Sequence, residues 1–83
     1  MLKIWHDQAW DDYLWWQKVD KQKLRRINRL IKEVERGNPI GKAERLRHSE
    51  SGVCSCRIDG SDRLVYKVDD EGLIILSCKG HYD

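Results

Sequence analysis

Residues 73–83 read Leu73-Ile74-Ile75-Leu76-Ser77-Cys78-Lys79-Gly80-His81-Tyr82-Asp83, an apolar run that leads directly into a histidine and a tyrosine. Six consecutive uncharged residues, most of them aliphatic, predict a strand in the interior of a sheet. Such a strand fixes the positions of the residues just beyond it, whereas most chain ends fray. We therefore expect the rest of the chain to build a sheet on which His81 and Tyr82 meet several arginines and one glutamate.

The composition indicates a single soluble domain spanning residues 1–83. The chain is 40% apolar and 36% charged, and a domain of this length can fold without disulfides. No apolar run approaches membrane-spanning length, and the first residues do not resemble a signal peptide. Three cysteines, an odd number, are not typical of a secreted disulfide framework. We therefore expect a cytoplasmic protein with no membrane partner.

Charge is distributed unevenly along the chain, although the net charge is only +2. Residues 1–20 carry a net charge of −2, residues 21–48 carry +7 from ten basic and three acidic side chains, and residues 49–83 carry −3. A basic segment of this kind suits nucleic acid or an acidic protein partner. A solvated, lysine-rich helix face explains the same pattern equally well.

The first half of the chain predicts a strand followed by two helices. Apolar and polar residues alternate over residues 2–5, as in a strand, and Asp7 is suited to cap a helix that runs to about Val19. Asp20 is suited to cap a second helix over residues 21–36, where apolar residues recur every three or four positions. Gly37 and Pro39 predict its end. Two helices joined so closely should form an antiparallel pair on a sheet.

The second half predicts three strands joined by hairpins. Residues 41–52 form a polar loop with room for one very short strand around Leu46, and strands follow over residues 53–58, 63–68 and 73–78. On the first of these strands, Val53, Ser55 and Arg57 share one face, and the other face carries Cys54, Cys56 and Ile58. The order βααβββ predicts an α+β fold with two N-terminal helices packed on a mainly antiparallel sheet.

Several segments of the chain carry a family resemblance. They are Ile4-Trp5, Trp10-Asp11-Asp12-Tyr13-Leu14-Trp15-Trp16-Gln17, Arg26-Ile27-Asn28-Arg29-Leu30-Ile31-Lys32, Glu44 with Leu46-Arg47-His48, Ser51-Gly52, Arg57-Ile58, Arg63-Leu64-Val65-Tyr66 and His81-Tyr82. In this order and spacing they resemble the Txe/YoeB family of bacterial toxins, within the RelE-type superfamily. The resemblance covers essentially the whole chain. It implies a ribosome-dependent mRNA endoribonuclease that inhibits translation, with a YefM-like antitoxin, the 70S ribosome and mRNA as partners, and it allows a homodimer.

The resemblance also implies roles for six side chains. Glu44 would be the general base and His81 the general acid, and Arg63 and Arg57 would stabilise phosphate charge. Arg47, which stands where the family more often has lysine, and Tyr82, which would orient or stack the nucleotide, would contact the RNA. His48 could also contact the RNA, although a histidine in a loop is more often simply exposed to solvent. RNA cleavage of this type needs a base for the 2′-hydroxyl, an acid for the 5′-oxygen and cations at the phosphorane. These side-chain types supply all three, so we expect no metal and no other cofactor.

The sequence alone is consistent with other interpretations of the same residues. Arg57 and Arg63 could simply pair with Asp59 or Asp62. A zinc site could form from the three cysteines and one histidine, namely Cys54, Cys56, Cys78 and His81, although a C-x-C pair on one strand favours buried thiols.

At the level of function, the alternatives are a catalytically weakened member, a toxin that blocks the ribosomal A site without cutting, and a ParE-like gyrase inhibitor. A weakened member is suggested because the family usually has tryptophan and arginine where this chain has Cys54 and Cys56, which removes a stacking surface and one cation. Asp83, which follows the usual terminal tyrosine, adds a further charge near His81. A ParE-like protein needs no acid–base pair, so Glu44 together with His81 argues against that alternative.

Overall fold

The computed structural model describes residues 1–37, the backbone of residues 44–45, and residues 52–80. Its elements are β1 (Leu2–Trp5), α1 (Asp7–Val19), α2 (Lys21–Glu35), β2 (Glu44–Arg45), β3 (Cys54–Arg57), β4 (Arg63–Asp69) and β5 (Gly72–Ser77). In this part of the chain the strands form one sheet in the order β1-β5-β4-β3-β2. β1 runs parallel to β5, and the other neighbours are antiparallel. The predicted α+β fold is confirmed.

The two helices are joined through Asp20, which caps the second of them as predicted. Its Oδ1 accepts hydrogen bonds from the backbone N of Gln22 at 3.1 Å and of Lys23 at 3.2 Å. At the end of α2, Gly37 has a φ of 74°, the left-handed conformation expected there. Neither helix is long and apolar enough to cross a membrane.

The start of α1 differs by one residue from the prediction. His6 is the N-cap and makes no side-chain capping hydrogen bond, so the assignment of Asp7 as the cap is wrong. Asp7 instead lies in the first turn of the helix, where a carboxylate interacts favourably with the positive end of the helix dipole.

The core lies between the two helices and one face of the sheet. The predicted alternation on β3 is confirmed, because Cys56 and Ile58 point into this core and Cys54 packs against it. The helices contribute Ala9, Trp16, Ile27, Leu30 and Ile31, and the other strands contribute Leu64, Tyr66, Leu73 and Ile75. Burial of each large aliphatic side chain stabilises the fold by about 1.5–3 kcal/mol relative to exposure.

β5 contains an irregularity that its apolar sequence does not reveal. Tyr66 pairs with Ile75, but the preceding residue, Val65, pairs with Ser77, so one extra residue, Leu76, is accommodated on β5. A regular strand would place Ser77 on the same side as Ile75. After the bulge it is Cys78 that joins the core, with no exposed surface.

β2 is the element that the sequence located least well. The structure places a two-residue strand at Glu44–Arg45, not around Leu46, which lies outside the described residues. Glu44 pairs with Ser55, and Arg45 pairs with Cys54. Two residues are too few for an alternating pattern to be visible, so only the pairing with β3 defines this strand. The assignment of Glu44 to a loop is therefore wrong, because its backbone belongs to the sheet.

Candidate functional site

Arg57 and Arg63 lie directly opposite each other on β3 and β4, beside the turn that connects the two strands. Their neighbours Cys56 and Leu64 point into the core, so the two arginines lie on the sheet face that is turned away from the helices. Arg57 is exposed and Arg63 is half-buried. The Cβ atoms of directly opposite residues are about 4.5–5.5 Å apart, so two guanidinium groups start from adjacent positions on one face.

The acidic residues of the adjoining turn have other partners. Asp59 forms an ion pair with Lys23 at 2.5 Å, and its Oδ1 accepts hydrogen bonds from the backbone N of Ser61 and Asp62, both at 2.7 Å. The hydrogen bond from Lys23 lowers the pKa of Asp59 to about 2. The interpretation in which the arginines simply pair with Asp59 or Asp62 is therefore wrong. Among the residues that the structure describes, no carboxylate forms an ion pair with either guanidinium.

The segment that leads to His81 passes beside the arginine pair. The backbone N of Arg63 donates to the carbonyl O of Gly80 at 3.1 Å, and the backbone N of Gly80 donates to Oδ1 of Asp62 at 2.7 Å. Gly80 directly precedes His81, which lies outside the described residues together with Tyr82. The attachment point of the predicted general acid is therefore held next to Arg63.

β2 brings the backbone of Glu44 to the same part of the sheet. Glu44 is opposite Ser55, and Ser55 is opposite Val65, so the three positions form a row across β2, β3 and β4. The arginine pair forms the next row on the same face, two residues further along β3. Ser55 is 1% exposed, and its Oγ has no hydrogen-bond partner within the described part of the chain.

The predicted site residues thus divide into two groups. The structure places Glu44, Arg57 and Arg63 in neighbouring rows of one sheet, whereas Arg47, His48, His81 and Tyr82 fall outside the residues it describes. α2, which carries much of the basic middle segment, packs on the other side of the sheet. The arginine pair and the basic helix therefore do not form one continuous groove.

The cysteines belong to the core side of the sheet. Burial raises the pKa of Cys56 to about 11 and that of Cys78 to about 12, so both thiols stay protonated at neutral pH. No group of three potential metal ligands occurs among residues 1–37 and 52–80, and His81, the fourth residue of the suggested zinc site, lies outside them. Because Cys56 points toward the helices, its thiol does not lie on the face that carries the two arginines.

Two aspartates that bind the segment leading to His81 could not be recognised from the sequence. Asp62 reads as an ordinary turn residue, and Asp12 reads as a helix residue placed for the dipole. Asp12 is in fact 4% exposed and accepts a hydrogen bond from the backbone N of Cys78 at 3.0 Å. Both carboxylates bind backbone N–H groups of the segment that leads to His81, and only the tertiary structure shows these contacts.

Comparison with solved structures places this fold in a class of small bacterial toxins. The structure of the YoeB dimer from Staphylococcus aureus is similar, with a TM-score of 0.91 and 40% identity, and covers 99% of this chain and 98% of its own. The YoeB–YefM complex from the same species gives a TM-score of 0.88 and 39% identity over the same shares.

Sequence comparison gives the family. The model of the YoeB-like toxin of bacterial type II toxin–antitoxin systems matches residues 5–82. The toxin YoeB of Escherichia coli K12 is 47% identical over 85 aligned positions, which cover 99% of this chain and 100% of the relative. The chain belongs to the YoeB-like toxin family, and the resemblance seen in its motifs is confirmed.

Proposed function

We propose that this toxin is an endoribonuclease that cuts mRNA in the ribosomal A site and thereby inhibits translation. The observation that carries the proposal is the Arg57–Arg63 pair, two cations directly opposite each other on one sheet face without an ion-pair partner in the described structure. Like charges directly opposite each other on a sheet are destabilising. Guanidinium groups bind phosphate through paired, charge-assisted hydrogen bonds, so a phosphodiester would offset this cost.

The proposed reaction is attack by the RNA 2′-hydroxyl on the adjacent phosphorus. Glu44 takes the proton of the hydroxyl, the 2′-oxygen forms a bond to phosphorus, and the bond from phosphorus to the 5′-oxygen breaks. His81 gives its proton to the departing 5′-oxygen, which leaves as a 5′-hydroxyl. Arg57 and Arg63 stabilise the additional negative charge that develops on the phosphorane.

Further residues complete the proposed site. Arg47, His48 and Tyr82 bind the substrate, with Tyr82 orienting or stacking a nucleotide. A protein of 83 residues has few groups with which to bend an RNA strand for in-line attack, so the ribosome supplies that geometry. Such acid–base chemistry proceeds without a cofactor.

The partners follow from the same proposal. A YefM-like antitoxin neutralises the toxin, as suggested by the S. aureus YoeB–YefM complex, and the S. aureus YoeB dimer supports formation of a homodimer. We expect the antitoxin to bind with an acidic, partly disordered segment that competes for the basic residues. Action on translating ribosomes places the toxin in the cytoplasm.

The test replaces the two proton-transfer residues. Glu44→Ala and His81→Ala should each abolish growth arrest and remove the cleavage sites that primer extension maps in translated mRNA. General acid–base groups contribute about 10²–10⁴-fold each, so the loss should exceed a hundredfold. Circular dichroism of each variant checks that the fold is retained.

Matched controls separate the site from general effects of substitution. His6→Ala and Glu71→Ala remove an exposed histidine and an exposed glutamate outside the site, and both variants should cut like the parent. Cleavage at the parental rate by Glu44→Ala and His81→Ala would refute the acid–base assignment. Translation arrest without cleavage by the parent would show a toxin that blocks the A site, and efficient cutting of naked RNA would refute ribosome dependence.

A further inference from the structure

We propose that Asp62 is a positioning residue that holds the backbone on which His81 and Tyr82 are carried. Its consequence for catalysis rests on the function proposed above, whereas its effect on the backbone does not. The interaction is a hydrogen bond from the backbone N of Gly80 to Oδ1 of Asp62 at 2.7 Å, between residues 18 positions apart.

This hydrogen bond continues the sheet where regular pairing stops. β5 ends at Ser77, so Gly80 lies beyond the last paired residue of that strand. Both backbone polar groups of Gly80 nevertheless form hydrogen bonds with β4 and the turn before it. The N–H donates to Asp62, and the carbonyl O accepts from the N of Arg63 at 3.1 Å. The side chain of Asp62 therefore takes the place of a strand partner.

The turn that presents Asp62 is itself held by several hydrogen bonds. The carbonyl O of Asp62 accepts from the backbone N of Ile58 at 2.9 Å and of Asp59 at 3.3 Å, and the N of Asp62 donates to Oδ1 of Asp59 at 2.7 Å. Asp59 is in turn paired with Lys23 of α2. The carboxylate of Asp62 thus extends from a backbone that is fixed on both sides.

Helix α1 also holds the segment that leads to His81, through hydrogen bonds to Cys78, two residues before Gly80. The backbone N of Cys78 donates to Oδ2 of Asp12 at 3.0 Å, and the carbonyl O of Cys78 accepts from Nε1 of Trp16 at 2.7 Å. Between these two fixed points, Lys79 lies over the ring of Trp15 with its Nζ 4.2 Å from the centroid. The hydrogen bonds of Gly80 to Asp62 and Arg63 are the last described contacts of this segment before His81.

The conformation of Gly80 makes the contact important. Its φ of 80° is in the left-handed region, which glycine enters without steric cost but which glycine also leaves easily. Within the described structure, a Cβ atom at Gly80 would have no neighbouring atom within 4 Å, so no described side chain packs closely against this residue. The hydrogen bonds to Asp62 and Arg63 therefore restrict the direction in which the chain leaves Gly80.

Two substitutions separate a hydrogen-bond acceptor from a negative charge. Asp62→Asn keeps an oxygen that can accept from the N–H of Gly80 and removes the charge. Asp62→Ala removes both. If Asp62 acts by positioning, Asp62→Asn should behave like the parent and Asp62→Ala should not. If the charge acted on His81, the two variants should behave alike and shift the pH profile of cleavage.

The primary measurement is NMR on the ¹⁵N-labelled toxin and is independent of RNA. In Asp62→Ala, hydrogen exchange at the Gly80 amide should become about tenfold faster, because one net hydrogen bond protects it in the parent. The heteronuclear NOE of His81 and Tyr82 should fall. In Asp62→Asn both should stay near the parental values. Asp69→Ala is the matched control, because Oδ1 of Asp69 accepts a comparable 2.8 Å hydrogen bond from Glu71 N in a turn distant from Gly80.

The activity measurement then connects positioning to catalysis. Asp62→Ala should lower kcat by about tenfold to a hundredfold with little change in KM, and Asp62→Asn should keep both the rate and the pH profile of the parent. Unchanged exchange and NOE values in Asp62→Ala would overturn the proposal. If these values change as expected but the parental toxin cuts no mRNA, the positioning role stands and the proposed function fails.

Discussion

Replacement of Asp12 tests how strongly helix α1 holds the segment that leads to His81. Asp12 is 4% exposed, and its two oxygens accept from the backbone N of Cys78 at 3.0 Å and from Nε2 of Gln8 at 2.8 Å. In Asp12→Ala the buried N–H of Cys78 has no acceptor, which costs about 1–3 kcal/mol. Gln8 is exposed and can bond to water instead, so its lost contact adds little.

The expected loss of unfolding free energy is therefore about 2 kcal/mol. For a domain of this size, a change of 1 kcal/mol moves the midpoint by about 4–8 °C, so Asp12→Ala should lower Tm by about 8–16 °C. Asp12→Asn keeps an acceptor for Cys78 and should lose less than about 1 kcal/mol. Urea titration at neutral pH measures the free energies, and thermal unfolding measures the midpoints.

Asp11 provides the control, because it is an exposed aspartate on the same helix. Asp11→Ala should stay within about 0.5 kcal/mol of the parent. This role of Asp12 is refuted if Asp12→Ala is as stable as Asp11→Ala, since the buried N–H would then have found another acceptor at no cost. It is also refuted if Asp12→Asn loses as much as Asp12→Ala, since the negative charge would then matter more than the acceptor.

Two further substitutions test packing and an ion pair. Gly72→Ala should destabilise the protein by more than about 3 kcal/mol in urea, because its Cβ would lie 2.3 Å from the carbonyl O of Leu2. Gly60→Ala should cost less than about 1 kcal/mol, because no atom of the described residues lies within 4 Å of the added Cβ. The pKa of Asp59 is lowered to about 2 from 3.8, with the hydrogen bond from Lys23 as the main cause. The ionised carboxylate therefore stabilises the fold fully above about pH 4, and this stabilisation is lost as the pH falls through 2. Lys23→Met removes the hydrogen bond, so the stability of this variant should depend less on pH in this range. Urea midpoints from pH 2 to 5 test this, and an equal decline in the parent and in Lys23→Met would contradict it.

The helices and the main strands could be predicted because their signals are local. Asp20 caps α2 through its own neighbours, and Gly37 ends it through its own backbone conformation, so both appear in a short stretch of sequence. The bulge at Leu76 could not be predicted, since it depends on how β5 pairs with β4. The position of β2 could not be predicted for the same reason, because two residues become a strand only through their partners on β3.

The site shows the same division between local and tertiary information. Alternation predicted the two faces of β3 and placed Arg57 and Arg63 on neighbouring strands. It could not show that they are directly opposite, because that depends on the length and form of the turn between the strands. Asp12 and Asp62 bind backbone groups 66 and 18 positions away in sequence, and an isolated aspartate gives no indication of such a partner.

The arginine pair and the aspartates beside it suggest how the fold keeps cations available. The turn between β3 and β4 contains two carboxylates, and either would neutralise a guanidinium if it were free. Asp59 is instead paired with Lys23 and its own turn, and Asp62 binds Gly80. The same hydrogen bonds that order the turn therefore withhold its acidic groups from Arg57 and Arg63. In the proposed reaction, an incoming phosphate would meet two cations that do not first have to be released from internal ion pairs with these aspartates. Stabilisation of a phosphorane requires such preorganisation.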